Sequence, residues 1–145
     1  MTASGPARRP VPGAAPSGAP GRAASLARSF YYAFAGLFYV ARTQRNFRIH
    51  LAAGTLASLL AGVLGLSAVE WAVLVLIMTL VLAAEMINTV VEAAVDLASP
   101  TYHPLAKVAK DVAAGTVLLT ALGAVATGLF LFGPHLLALL ARPGG

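Results

Sequence analysis

Four of the five acidic residues, Glu85, Glu92, Asp96 and Asp111, fall in one stretch, EMINTVVEAAVDLASPTYHPLAKVAKD, that also holds both lysines, Lys107 and Lys110. Its flanks are almost purely apolar. A charge at the centre of a bilayer-spanning helix costs about 2.5 to 3.5 kcal/mol, so a chain this poor in acids has a use for those it gathers here. Each residue of an α-helix turns about 100°, which places Glu85, Asn88, Glu92 and Asp96 within about 80° of one another, with Thr89 at the edge of that face. They form a single carboxylate-amide stripe about 16 Å long. Oxygen ligands on one stripe suit a hard cation such as Mg²⁺. Burial disfavours the charged form of a carboxylate, which suits Glu85, the deepest of the set, to the work of a general base. One polar residue would be ordinary interhelical glue; three acids and an asparagine on one face are more than that role needs.

Lys110 and Asp111 follow a short loop and can fold back towards Glu92 and Asp96. There they would make either a simple ion pair at a helix start or a phosphate-contacting lysine beside a metal-facing or nucleotide-facing aspartate. His103 is more often a loop or capping residue than a ligand. No GxxxxGK[ST] loop and no protein-kinase signature occurs, so a nucleotide site here would be built from side chains and metal. Residue types alone lead to an intramembrane, cytoplasm-facing carboxylate site for a divalent cation. They leave open a lipid-modifying enzyme and a small cation or proton carrier.

The elements that must position these groups are membrane helices. The 145 residues are 59% hydrophobic and 10% charged, with a mean hydropathy of +0.82, too little charge for a soluble domain of one-domain length. The net charge of +5 is spread beside apolar segments as in cytoplasmic loops, which reads as topology and not as nucleic-acid binding. With no cysteine there is neither a disulfide framework nor thiolate chemistry. Residues 1–24 hold five of the nine prolines and read as a disordered tail, without the apolar core of a secretory signal. Residues 25–42 read as a helix lying in the membrane interface, with Phe30, Phe34 and Phe38 in one stripe between Arg28 and Arg42. The basic run TQRNFRIH then leads to spans over about 49–66, 69–98 and 104–132, with Ser99-Pro100 and Gly133-Pro134 as stops and 135–145 as a short tail. The expected fold class is all-α integral membrane: three transmembrane helices plus an N-terminal amphipathic surface helix. The N-terminal arginines and the Lys107/Lys110 loop belong inside and the 65–70 turn, free of Lys and Arg, outside. That puts the N-terminus in the cytoplasm and the stripe near the cytoplasmic end of the second span.

Three runs carry a resemblance to a known family: E-x-x-N-T-x-x-E-x-x-x-D from Glu85 to Asp96, Y-H-P-L-A-K-x-A-K-D from Tyr102 to Asp111, and R-N-F-R-I-H from Arg45 to His50. Over about residues 25–132 the chain resembles the small prokaryotic diacylglycerol kinases, and more closely their undecaprenol kinase branch. The resemblance implies a homotrimer in the bacterial cell (inner) membrane, with active sites between subunits at the cytoplasmic interface. It also implies ATP- and Mg²⁺-dependent phosphorylation of a lipid alcohol, undecaprenol or diacylglycerol. By motif, Glu85 resembles the catalytic base and Glu92 a metal ligand, with Asn88 and Asp96 as supporting polar residues. Arg28, Tyr32, Gln44, Glu92, Thr101, Tyr102, His103, Lys110 and Asp111 resemble nucleotide contacts. The family's second metal-binding glutamate is Gln44 here, a neutral amide that offers oxygen with less charge.

Overall fold

The computed structural model describes residues 22–141. The expected tail lies, up to residue 21, outside the described residues, as do residues 142–145. Four helices follow in order: α1 (Arg22–Thr43), α2 (Arg45–Leu64), α3 (Ala68–Ala98) and α4 (Pro104–Leu140). Among the described residues there is no strand. Helices α2, α3 and α4 are each long and apolar enough to cross a membrane. By internal contacts the chain divides into Met1–Phe34 and Ala35–Gly145. In the first unit, Phe30 and Phe34 are exposed, and Tyr31 and Tyr32 meet edge to face.

In the second unit the guanidinium of Arg42 lies 4.1 Å over the Phe38 ring, a cation–π contact one helical turn apart. The basic run after it is helix and not a connecting segment. Gln44 alone is extended, with φ −94 and ψ 117, and α2 starts at Arg45. The first turn of a helix needs no apolar periodicity of its own, and here it is anchored by Phe47, one of the buried residues. The α2–α3 turn is made by Gly65, at φ 69 in the left-handed region, where glycine carries no Cβ penalty. Its N–H bonds the Ala61 carbonyl, which satisfies an end of α2. Ser67 and Glu70 then form a reciprocal capping box: the Ser67 N–H donates to Glu70 Oε2 at 2.7 Å and the Glu70 N–H to Ser67 Oγ at 3.4 Å.

α4 does not stop at Gly133-Pro134. It runs through Pro134 to Leu140, although proline removes an N–H and crowds the carbonyl four residues earlier. Such prolines are tolerated in membrane helices when neighbouring groups compensate. His135, the next residue, lies with Nε2 3.7 Å from Glu70 Oε1 at the start of α3, and so pins α4 beyond the proline.

α3 packs against both other spans. A small core of Ala61, Leu66, Leu74 and Leu131 closes the end of the bundle near the 65–67 turn, with Trp71 packed against it. Small residues let the backbones approach: a Cβ added at Gly54 would sit 2.7 Å from Met78 Cε. Most large apolar side chains on the spans, such as Leu56, Leu76, Leu119 and Phe130, remain exposed on the single chain, a surface for lipid or for further subunits.

Candidate functional site

α3 carries the stripe. Glu85 is only 2% exposed, a degree of burial rare for a carboxylate. Thr89 is buried beneath it and donates its hydroxyl to the Glu85 backbone carbonyl at 2.9 Å. One turn further, the Asn88 side-chain amide donates to Glu92 Oε1 at 2.9 Å. Of the four-residue stripe read from the sequence, Glu85 is buried and Asn88 and Glu92 half-buried, whereas Asp96 is exposed and bonds Lys110.

Two buried side-chain oxygens among the described residues have no hydrogen-bond partner, Glu85 Oε1 and Asn88 Oδ1. Orphaned buried polar atoms are uncommon and ask for a reason. Facing Glu85 from α2, His50 Nε2 stands 3.5 Å from Oε1, and Asn46 and Glu92 are the other polar side chains whose charge or hydrogen bonding reaches the carboxyl group.

A second cluster lies at the α3–α4 loop. Lys110 on α4 reaches across to bond Asp96 on α3. Asp111 pairs with Lys107, one turn back on its own helix, and lines the same recess as Asp96 and Lys110. Of the pair expected to fold back, Lys110 reaches Asp96 and Asp111 bonds Lys107. His103 is the N-cap of α4, its Nδ1 accepting the Leu105 N–H at 3.2 Å, with Pro104 in the first turn, where a missing N–H costs nothing. The Ser99 hydroxyl donates to the Thr101 carbonyl at 2.9 Å and shapes the loop. These residues surround a recess of about 450 Å³, walled by Asp96, Thr101, Tyr102, His103, Lys110 and Asp111 among others.

The structure thus brings the sequence candidates into two groups. Glu85, Asn88 and Glu92 form the inner one. Asp96, Thr101, Tyr102, His103, Lys110 and Asp111 form the outer one. Gln44 is half-buried at the start of α2. Arg28 and Tyr32 belong to the first unit and are exposed on α1. Residue reasoning gave no site role to His50, Asn46 or Lys107, which the structure sets beside Glu85 or Asp111. His50 and Asn46 were visible only as members of the R-N-F-R-I-H run, because their partner is 35 positions or more away and no local spacing announces it.

The described residues of one chain hold no group of three His, Cys, Asp or Glu side chains that could bind a metal. The donor set present is the Glu92 carboxylate beside the orphaned Asn88 Oδ1. Two hard oxygens fit a divalent cation of the kind that keeps most of its waters and takes further oxygens from phosphate.

A polytopic helical membrane protein with a buried carboxylate on one span, and a lysine-bearing recess beyond the end of that span, has the parts of an enzyme acting at the membrane interface. Comparison with known proteins makes the class specific. Residues 31–132 match the family model for prokaryotic diacylglycerol kinase. The chain is 49% identical over 119 residues to a diacylglycerol kinase of Synechocystis sp., covering 81% of this chain and 68% of that one. It is 39% identical over 109 residues to an undecaprenol kinase of Bacillus subtilis, covering 75% and 89%. It is 33% identical over 94 residues to a diacylglycerol kinase of Helicobacter pylori, covering 65% and 73%. The chain belongs to the prokaryotic diacylglycerol kinase family. It is a membrane-embedded lipid kinase, a phosphotransferase with an alcohol group as acceptor.

Proposed function

We propose that the protein transfers the γ-phosphoryl group of ATP to the hydroxyl of undecaprenol at the cytoplasmic face of the bacterial cell membrane, with Mg²⁺ as the divalent cation. The observation that carries this reading is Glu85, a carboxylate buried among apolar residues of a span. Its place on the same helix as Asp96, which bonds Lys110 at the recess about 16 Å further along α3, suits a reaction between a membrane-dissolved alcohol and a water-soluble phosphate donor. Glu85 takes the proton of the acceptor hydroxyl as its oxygen forms a bond to the γ-phosphorus, and the bond from that phosphorus to the bridging oxygen breaks to release ADP. Lys110, with Thr101, Tyr102 and His103 around the recess, binds the nucleotide. Asp96 holds the Lys110 ammonium in place. Glu92 and Asn88, with Gln44 at the N-cap of α2, would hold the cation, which would neutralise phosphate charge. The exposed apolar faces of the spans and the family resemblance support a homotrimer, and the arginines ahead of the first span support an N-terminus in the cytoplasm.

Diacylglycerol is the second acceptor reading, favoured by the name of the Synechocystis relative. The deciding experiment offers purified full-length protein in detergent each lipid with γ-labelled ATP and Mg²⁺. Preferential label transfer to undecaprenol is expected. Preference for diacylglycerol reverses the assignment of acceptor, and transfer to neither lipid overturns the kinase mechanism drawn here.

A further inference from the structure

Glu85 Oε1 is buried with no hydrogen bond, yet it is not remote from a donor. His50 Nε2 lies 3.5 Å away across the α2–α3 interface, a few tenths of an ångström beyond ordinary hydrogen-bond length. The other polar side chains nearby are committed elsewhere or do not reach this atom. The Thr89 hydroxyl goes to the Glu85 backbone carbonyl, and the Asn88 amide goes to Glu92. Asn46 acts on the carboxyl group but leaves Oε1 without a partner. His50 is half-buried, and its ring borders an apolar groove of about 270 Å³ between α2, α3 and α4 whose other lining side chains carry no nitrogen or oxygen. Among the described residues His50 thus brings the one polar side chain to the lining of that groove, and the same imidazole stands against the Glu85 carboxyl group.

We propose that His50 is a positioning residue for Glu85. Its Nε2–H donates to Glu85 Oε1 and fixes the rotation of the carboxyl group, so that Oε2 is presented to the acceptor hydroxyl and receives its proton. Catalytic hydrogen bonds that are long in a ligand-free enzyme commonly tighten once substrate is bound. A general base held in one rotamer contributes through orientation as well as basicity. This inference rests on the reading of Glu85 as the base, and its test separates the two.

Three variants are compared with the wild type in detergent: His50→Ala, His50→Gln, whose side-chain amide nitrogen takes the place of Nε2, and Glu85→Gln. The expected result is that His50→Ala lowers kcat by about 10- to 100-fold, the worth of one hydrogen bond to a charged group. Its KM for Mg-ATP should stay within about twofold of wild type, and His50→Gln should recover most of the loss. Infrared difference spectra supply a readout independent of turnover. The carboxyl band that disappears in Glu85→Gln should shift in His50→Ala and return towards its wild-type position in His50→Gln. Should His50→Ala not survive purification, His50→Phe, which keeps a ring and lacks the donor, takes its place with the same expected losses. An unmoved Glu85 band, a kcat within about twofold of wild type, or a defect that glutamine does not relieve each overturns the proposal. A wild type that phosphorylates no lipid alcohol overturns the base assignment itself, whatever the infrared band does.

Discussion

Glu85→Gln is the sharpest perturbation this structure offers. Glutamine has the shape of glutamate, keeps an acceptor oxygen, and loses the ability to take a proton. Positioned general bases contribute about 10²- to 10⁴-fold to rate, or about 3 to 5 kcal/mol of barrier. The effect on folding should be far smaller. The side chain is 2% exposed, so both forms are sheltered from water, and the variant exchanges a buried anion with an orphaned oxygen for a neutral amide. A misplaced amide N–H costs about 1 kcal/mol or slightly more. Removal of a buried charge works in the opposite direction. Stability should therefore stay within about 1 kcal/mol of wild type while turnover falls by at least about 100-fold. The assay is label transfer from ATP into the lipid fraction at saturating Mg-ATP, run beside thermal unfolding in the same detergent and protection of Lys110 from amine modification by Mg-ATP. Protection should survive, because a base and not a phosphate contact has been removed. A variant that keeps more than about a tenth of wild-type turnover would show that Glu85 is not the base. Equal loss of turnover and of Lys110 protection would place it in nucleotide binding instead.

Glu92→Gln should weaken Mg-ATP binding itself, seen as a raised Mg²⁺ requirement and reduced Lys110 protection; behaviour identical to that of Glu85→Gln would refute the division of labour along the stripe. Gln44→Glu should lower the Mg²⁺ concentration for half-maximal activity by about fivefold, equivalent to about 1 kcal/mol, with a smaller gain in the Glu92→Gln background. An unchanged Mg²⁺ titration would remove Gln44 from the cation site. Asp96→Asn frees Lys110 from a bridge between side chains that are 37% and 66% exposed, so unfolding should change by less than about 1 kcal/mol while KM for ATP rises; a KM equal to that of wild type would mean that Asp96 does not position Lys110. Gly54→Leu should destabilise the bundle by about 1 to 3 kcal/mol, since even a Cβ there meets Met78 Cε at 2.7 Å. An unchanged melting temperature would mean that α2 and α3 have room to separate.

The spans and the carboxylate stripe were legible because both rest on periodicity within a single helix, and apolar runs and helical offsets survive whatever the tertiary packing does. Features that depend on a second element were less legible. The start of α2 lay hidden in a polar run whose helical turn is anchored by one residue, Phe47. Pro134 read as a stop because its compensating contact, His135 with Glu70, joins positions 65 residues apart. His50 looked like one more basic residue of a cytoplasmic anchor until α3 placed Glu85 opposite it. The capping box at Ser67 and Glu70 emerged only with the structure and accounts for the one acid outside the central stretch.

The axial separation of Glu85 from Glu92, about 10 Å along α3, has a consequence for traffic through the site. On the proposed assignment of Glu85 as proton acceptor and Glu92 as cation ligand, the site admits a reactant able to sink a bare hydroxyl below the headgroup layer, so depth itself would act as a filter. Burying a hydroxyl costs a few kcal/mol at most when it finds a hydrogen-bond partner, whereas an ionised group costs far more. Phosphorylation turns the first kind of molecule into the second. The newly charged lipid is expelled towards water by the same apolar surroundings that received it as a neutral alcohol. Turnover thus gains a direction across the thickness of one leaflet, neutral molecules arriving from the hydrocarbon and anionic ones leaving at its edge, with no moving gate required.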